Sequence, residues 1–336
     1  MAATFTTVLA GDIGGTKSVL RLFAREGDRL RPLRRRRFAN RDFDNFSALL
    51  DAFLADLDRR PETAAFAVAG PVEENRCRMT NLDWEFDGDA LAAKLGTARV
   101  ALLNDVEATA YATLLLPENA AISLQRGQSV RGACRAVIAA GTGLGEAILL
   151  EGDTDRKALA GEGGHADFAP TDAVQIRLLE RLLPEFGGHV SIERLLSGNG
   201  IGRIYDFFCE EAGVQASPAV MNAADRNAAV TQQALRGSDE IAVRTLRLFS
   251  RIYGAEAGNL ALRTLARGGV WIGGGIAPKI LPFLHRDFLP AFLAKGRFEA
   301  LLRTIPVQVV LDEDVAVLGA AYVAAGRSVT RVSAPV

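Results

Sequence analysis

Apolar residues in this chain recur at two spacings, and the change from one to the other marks out the elements. Val8-Leu9-Ala10 and Val19-Leu20-Arg21-Leu22 are short β-type runs, and the stretch between them, Gly11-Asp12-Ile13-Gly14-Gly15-Thr16-Lys17-Ser18, predicts a hairpin. Leu30 to Ala39 supplies a third strand. The period then lengthens: Phe43, Phe46, Leu49, Leu50, Phe53, Leu54 and Leu57 recur at three and four residues, an amphipathic helix with Asp42 or Asp44 as its N-cap. Ala64 to Ala69 reads as a buried strand stopped by Gly70-Pro71. A helix through Ala90 to Leu95 ends at Gly96, the strand Arg99 to Leu103 follows, and an alanine-rich helix begins at Asn104-Asp105.

The order is three strands, helix, strand, helix, strand, helix, and its opening hairpin occurs twice. Val137 to Leu150 repeats the design of apolar strand, Gly/Thr turn (Gly141-Thr142-Gly143) and apolar strand, which predicts a duplicated α/β fold. Pro117 to Gly132 reads as the passage between the halves. Beyond the second hairpin comes a glycine-rich loop, Gly161 to Pro170. Ser191 then caps a helix whose first turn holds Glu193, where its charge suits the helix dipole. Ser238 to Arg267 is largely helical. Gly269 to Ile272 is a strand, Gly273-Gly274-Gly275 a tight turn before a helix near Pro278 to Leu284, Val307 to Leu311 a last strand and Val315 to Ala325 a last helix.

Composition narrows the function classes. At 336 residues about two domains are expected, and 49% hydrophobic and 24% charged residues are ordinary for a globular protein. A formal net charge of −1 argues against a nucleic-acid surface. Arg31 and Arg34 to Arg37 read as a solvated strand. Three widely spaced cysteines, Cys77, Cys134 and Cys209, offer no zinc cluster and favour a reducing compartment. No apolar run approaches the roughly 18 residues of a membrane span, and the N-terminus has no signal-peptide pattern, so the cytoplasm is expected.

The two hairpin turns carry the candidate chemistry. Gly11, Gly14 and Gly15 can take positive φ and bring backbone N–H groups to an anion, while Asp12 at a strand end can hold a cation such as Mg²⁺ beside a polyphosphate. An ordinary hairpin explains the same glycines. Neither the P-loop nor the dinucleotide fingerprint applies, because the chain continues as a strand where both need a helix. Asp105 sits at the carboxyl end of a strand, the edge that borders ligand crevices in α/β sheets, although an aspartate there also caps helices. His165, among loop glycines with Glu162, suits hydrogen bonding to hydroxyls or a structural role. Trp271 reads as core, and His189 and His285 take no assignment.

With its two hairpin loops and Trp271-Ile272-Gly273-Gly274-Gly275-Ile276, the chain resembles the actin-like ATPase superfamily. Four segments narrow the likeness: Leu103 to Ala108, Gly161 to His165 with Asp167 to Pro170, Glu193-Arg194 with Leu196-Ser197-Gly198, and Trp271 to Ala277. On these the chain is similar to the bacterial-type glucokinases of the hexokinase branch. The zinc-site cysteines of a related sugar-kinase group are absent after His165.

The resemblance implies two ribonuclease-H-like lobes with a cleft between them, one from 1–116 plus 312–330 and the other from 117–311. It implies transfer of phosphate from ATP to the 6-hydroxyl of glucose, with Asp105 accepting the proton and Asn104, Glu162, His165 and Glu193 binding other hydroxyls. Gly11, Asp12, Gly14, Gly15, Thr16, Lys17, Thr142 and Gly143 would surround the phosphates, with Asp12 holding Mg²⁺, and Gly273, Gly274, Gly275 and Ile276 would border adenosine. A homodimer is implied, with no nucleic-acid or membrane partner. The alternatives are a broader hexose kinase and a sugar-responsive regulator. Such regulators add a DNA-binding segment before the first loop, where this chain has ten residues ahead of Gly11. A heat-shock-type ATPase would need a peptide-binding domain after the last helix.

Overall fold

The computed structural model describes residues 5–55, 57, 59–79, 82–152 and 155–333. Its first sheet grows from the hairpin of β1 (Thr6–Ile13) and β2 (Lys17–Glu26), antiparallel with Ile13 opposite Ser18. β3 (Arg29–Ala39) pairs with β2 and ends one residue before a 3₁₀ turn, Asn40–Asp42. Helix α1 (Phe46–Leu54) is shorter than its periodicity predicts. Its cap is Asn45, whose side chain accepts from Ala48 N at 2.9 Å, and neither Asp42 nor Asp44 takes that place. Phe43 instead packs edge-on against Phe38.

β4 (Thr63–Val68) runs parallel to β1, and a small hairpin of β5 (Arg76–Arg78) and β6 (Glu85–Asp87) follows. α2 (Gly88–Leu95) ends at Gly96, whose φ of 69° is the left-handed region that a side chain resists. β7 (Val100–Asn104) is parallel to β4, and α3 (Asp105–Ala112) leaves from its end. The C-terminal helix Val315–Ala324 returns to pack on β1, β4 and α3, and a short strand, Arg331–Val332, extends the sheet beside β3. The sheet order is C-terminal strand-β3-β2-β1-β4-β7. Leu9, Ile13, Phe53 and Phe66 lie in one core cluster with Phe46 and Trp84, each buried side chain contributing roughly 1.5–3 kcal/mol.

By its internal contacts the chain divides into two units. The first is drawn from Met1–Ala121, Thr154–Ala160 and Asp312–Val336, the second from Ile122–Asp153 and Gly161–Leu311. The segment 154–160, which the 1–116 plus 312–330 division leaves out, groups with the first unit.

The second unit is built on β8 (Ala121–Gln125), β9 (Arg135–Ala140) and β10 (Leu144–Glu151), followed in the chain by β11 (Arg156–Gly161). The passage between the halves thus holds a strand that its mixed pattern conceals. Helices α4 (Ala173–Leu182), α5 (Gly198–Ala212), α6 (Pro218–Met221), α7 (Arg226–Arg236) and α8 (Glu240–Thr264) come next, then β12 (Gly269–Gly273) and β13 (Val307–Val310). The order within the unit is β10-β9-β12-β13-β8, with β12 parallel to β9 and β13.

The helix expected near Pro278 to Leu284 is a broken run. A 3₁₀ turn, Ala277–Ile280, leads through a π-helical stretch, Leu284–Phe288, to Leu289–Leu293, and Pro278, Pro282 and Pro290 withhold the amide hydrogens that a continuous helix needs. This run packs on α8 at two glycines. A Cβ on Gly254 would stand 2.1 Å from Phe288 O, and one on Gly258 2.6 Å from Phe292 O. Among the described residues no helix is long and apolar enough to cross a membrane.

Candidate active site

In the first unit the parallel register brings the sequence candidates to one edge. Ile13 pairs across to Val68, and Val68 to Asn104, so the first glycine turn, Gly70 and Asp105 leave the sheet at the same carboxyl ends. Asp12 stands one residue before the end of β1. Burial, and then the carboxylates of Asp105 and Asp314, push the Asp12 carboxyl up to about 7 against the opposing charge of Lys17. Three acids at one edge create a field that a cation relieves.

The turn itself is not held by left-handed glycines. Neither Gly11 nor Gly14 takes positive φ; Gly11 is glycine for want of space, since a Cβ would lie 2.5 Å from Leu20 Cδ2 and 2.8 Å from Phe66 Cδ1. Gly14 N donates to Lys17 O at 3.0 Å, closing the turn with Gly15 and exposed Thr16 between them. The buried Asn40 braces it from outside: its Nδ2 donates to Gly14 O at 2.7 Å, its backbone N to Thr16 O at 3.0 Å, and its Oδ1 accepts from Ser18 Oγ at 2.8 Å. Lys17 reaches Glu313, at 3.6 Å.

Asn104, not Asp105, is the N-cap of α3. Its Oδ1 accepts from Val106 N at 3.0 Å and Glu107 N at 3.3 Å, and its Nδ2 donates to Gly70 O at 3.2 Å. The amide keeps a second N–H for another acceptor. Asp105 Oδ1 also accepts from Val106 N, at 2.8 Å, which aims the carboxyl along the helix entrance. The helix thus has its cap without Asp105, whose carboxylate stands close enough to Asp12 to raise it.

In the second unit Ala139 pairs with Gly273, so the Gly141-Thr142-Gly143 turn and the Gly273-Gly274-Gly275 turn leave one edge together. Gly274 has φ of 82°, and a Cβ there would meet Ala140 O at 2.2 Å. Ile276 N donates to Ala140 O at 3.4 Å, and the Tyr253 hydroxyl, fully buried on α8, accepts from Ala140 N at 3.2 Å and donates to Ile138 O at 3.1 Å. Gly198 N, at the start of α5, donates to Gly141 O. Trp271 is half-buried and lines a cavity of about 280 Å³ beside Gly268, Gly269 and Pro306, near the opposite ends of β12 and β13.

Glu162 and Glu193 are brought together by chain pairing, not by helix geometry. Phe168 N donates to Val190 O and Ile192 N to Ala166 O, which joins the 162–168 loop to the 190–194 segment. Glu193 is in a 3₁₀ turn, Ile192–Arg194, and Ser191 makes no side-chain cap; the long helix starts at Gly198 under Ser197. Instead of answering a helix dipole, Glu193 Oε2 accepts from Leu144 N at 2.9 Å and fills the space where a Gly143 side chain would stand, 2.4 Å away. His165 Nε2 lies 3.8 Å from Glu162 Oε2, both exposed, and His189 pairs with Asp167 at 3.2 Å.

Asn40 and Tyr253 had no sequence signal of their own. Only Asp314 left a hint, in the acidic run Asp312-Glu313-Asp314 between a strand and a helix. The three cysteines are free, and no cluster of three or more metal-ligating side chains occurs among the described residues.

Known proteins are similar to this chain in sequence and fold. A family model described as glucokinase matches residues 9–327. A glucokinase of Synechocystis sp. is 40% identical, over 97% of this chain and 99% of that protein, and one of Nostoc sp. is 39% identical over 95% and 99%. The crystal structure of a glucokinase from an Antarctic psychrotroph superposes with a TM-score of 0.85 at 30% identity, covering 96% of this chain and 100% of that one. A ROK-family glucokinase from Streptomyces griseus, solved with glucose and AMPPNP, shares the fold at a TM-score of 0.64 and 20% identity, over 96% and 100%.

Proposed function

The chain belongs to the glucokinase family and phosphorylates glucose with ATP, and from that premise we propose that Asp105 is the base that takes the proton of the glucose 6-hydroxyl. The observation that carries this reading is the register that sets Asp12 and Asp105 at the same carboxyl edge of the sheet, at the ends of β1 and β7 on either side of β4, while Asn104 does the capping. Phosphoryl transfer needs little covalent help; it needs an oriented hydroxyl and neutralised charge. Asp105 orients the hydroxyl and accepts its proton as the bond to phosphorus forms. Asn104, Glu162, His165 and Glu193 bind other hydroxyls, and each hydroxyl of the wrong orientation would leave a polar group unpaired, at about 1–3 kcal/mol.

The backbones of Gly11, Gly14, Gly15, Thr16 and Lys17, with Thr142 and Gly143, lie around the ATP phosphates, and Gly273 to Ile276 border adenosine. Asp12 fits a Mg²⁺ ion, because a cation would offset the burial and the two nearby acids that raise its carboxyl. Such an ion supplies charge neutralisation at the phosphates. The ATP requirement and the three free cysteines suit the cytoplasm, and a homodimer is the proposed assembly.

Asp105→Asn tests the base. It keeps the shape and the Val106 contact while losing basicity, so kcat is expected to fall by about 10²–10⁴ with glucose binding largely retained. Turnover near that of the wild type would reject Asp105 as the base.

A further inference from the structure

Beneath the Glu162–His165 turn lies a carboxyl that the scheme above does not use. Glu146, on β10, is 5% exposed, and its Oε1 has no hydrogen-bond partner among the described residues. Its Oε2 stands 2.0 Å from where a Cβ on Gly163 would be, so the carboxyl packs directly on the Gly163 backbone. Gly164 is seated in the same way on the next inward residue of β10, its Cβ position 2.2 Å from Leu144 O. The two residues between Glu162 and His165 therefore rest on Glu146 and Leu144, and both are glycine because nothing larger fits.

The charges facing Glu146 come from α8. Glu256, 4% exposed, accepts from Asn259 Nδ2 at 2.9 Å and pairs with Arg263 at 3.0 Å, while Lys295 donates to Asn259 at 2.6 Å. The hydroxyl of Tyr253 is engaged with the end of β9. Glu146 itself has no ion pair among the described residues. Ionised, it would set a charge with an unfilled acceptor beside another buried carboxylate; uncharged, it is a compact polar group of the right size. Burial, then the Glu256 charge, push it up to about 7 against the pull of Arg263.

We propose that Glu146 is a positioning residue for sugar binding: uncharged, it supports Gly163 and holds the Glu162–His165 turn, and its ionisation releases that turn. The inference rests on the reading that Glu162 and His165 contact glucose.

The test is the glucose KM and kcat of the whole enzyme, at saturating Mg-ATP, from pH 6 to 9. For the wild type KM is expected to rise about five-fold between pH 6.5 and 8.5, with kcat at saturating glucose changing less. Glu146→Gln keeps the shape without the charge, and its KM is expected to stay within about two-fold across the range. Glu146→Met, also uncharged, replaces it if the glutamine variant does not fold. Parallel KM profiles in wild type and variant would overturn the proposal. Glu162→Ala and His165→Ala, measured at pH 6.5, separate the two ideas: if neither raises KM, the sugar-contact reading falls first and this inference with it.

Discussion

At the scale of single residues, Asp314 shows how a charge outside the chemistry shapes it. Burial alone would push its carboxyl up, but the hydrogen bond from Arg35, at 2.7 Å, and the charge and hydrogen bond of Arg21, at 2.6 Å, outweigh that and hold it below the ordinary aspartate value. It stays ionised and repels a proton-free Asp12, one reason why that carboxyl needs a cation. A folded-state value below the unfolded one stabilises the fold at pH above about 4, and this contribution is lost as pH falls through the folded value. Asp314→Asn leaves two guanidinium groups facing an amide, at a cost of about 2–4 kcal/mol at pH 7. Thermal melts from pH 3 to 8 check this: the gap between wild type and variant is expected to close toward pH 3. The arginine run of β3 has its role here, since Arg35 is an anchor of Asp314 while Arg36 lies over the Phe38 ring.

At the scale of elements, glycines divide into those that admit packing and those that leave room. Gly319, on the C-terminal helix, would place a Cβ 1.7 Å from Ala108 O on α3, and that carbonyl is backbone that cannot swing away. Gly319→Ala is expected to force the helices apart and lower stability by about 1–3 kcal/mol, read as a lower Tm. Gly141 has nothing within 4 Å of its Cβ position. Gly141→Ala is expected to leave Tm unchanged and to raise the KM for ATP, because its side chain would enter space proposed for phosphate. Both hairpins were legible in the sequence, since alternation and glycine turns are local signals. The proline-broken run after Ile276 and the strand at Ala121–Gln125 were not, because the first has the composition of a helix and the second the look of a linker.

At the scale of the whole molecule, the first unit is discontinuous. Its sheet begins at Thr6 yet its core is closed by Val315–Ala324, with Tyr322 stacked on Tyr111 at 5.6 Å and Val317, Ala320 and Ala321 fully buried. A chain cut after Leu311 exposes the faces of β1, β4 and α3 that this helix covers. For the 1–311 fragment the first unit's share of the cooperative thermal transition is expected to be lost, read as a smaller unfolding amplitude by circular dichroism; a transition of wild-type amplitude and temperature would contradict it. The second unit has its own aromatic core, in which Phe249, Tyr253, Phe288 and Phe292 contact one another in turn, so it need not borrow from the ends of the chain.

The amino-acid sequence by itself determined the strand-turn-strand repeat, the alternation of strands and helices, and the candidates Asp12, Asp105, Glu162 and His165, because period, turn chemistry and local acid placement are written in neighbouring residues; Glu193 entered only through the family resemblance. Tertiary structure decided what each of these touches. The register Ile13–Val68–Asn104 set Asp105 near Asp12, Asn40 came from 24 positions beyond Thr16 to brace the first turn, and Glu193 closed on the second turn through Leu144 N. Glu146 looked like one polar residue in a strand until Gly163 was laid over it. Such contacts join residues far apart in the chain, and desolvation by those distant neighbours, which no local pattern encodes, is what sets their charge.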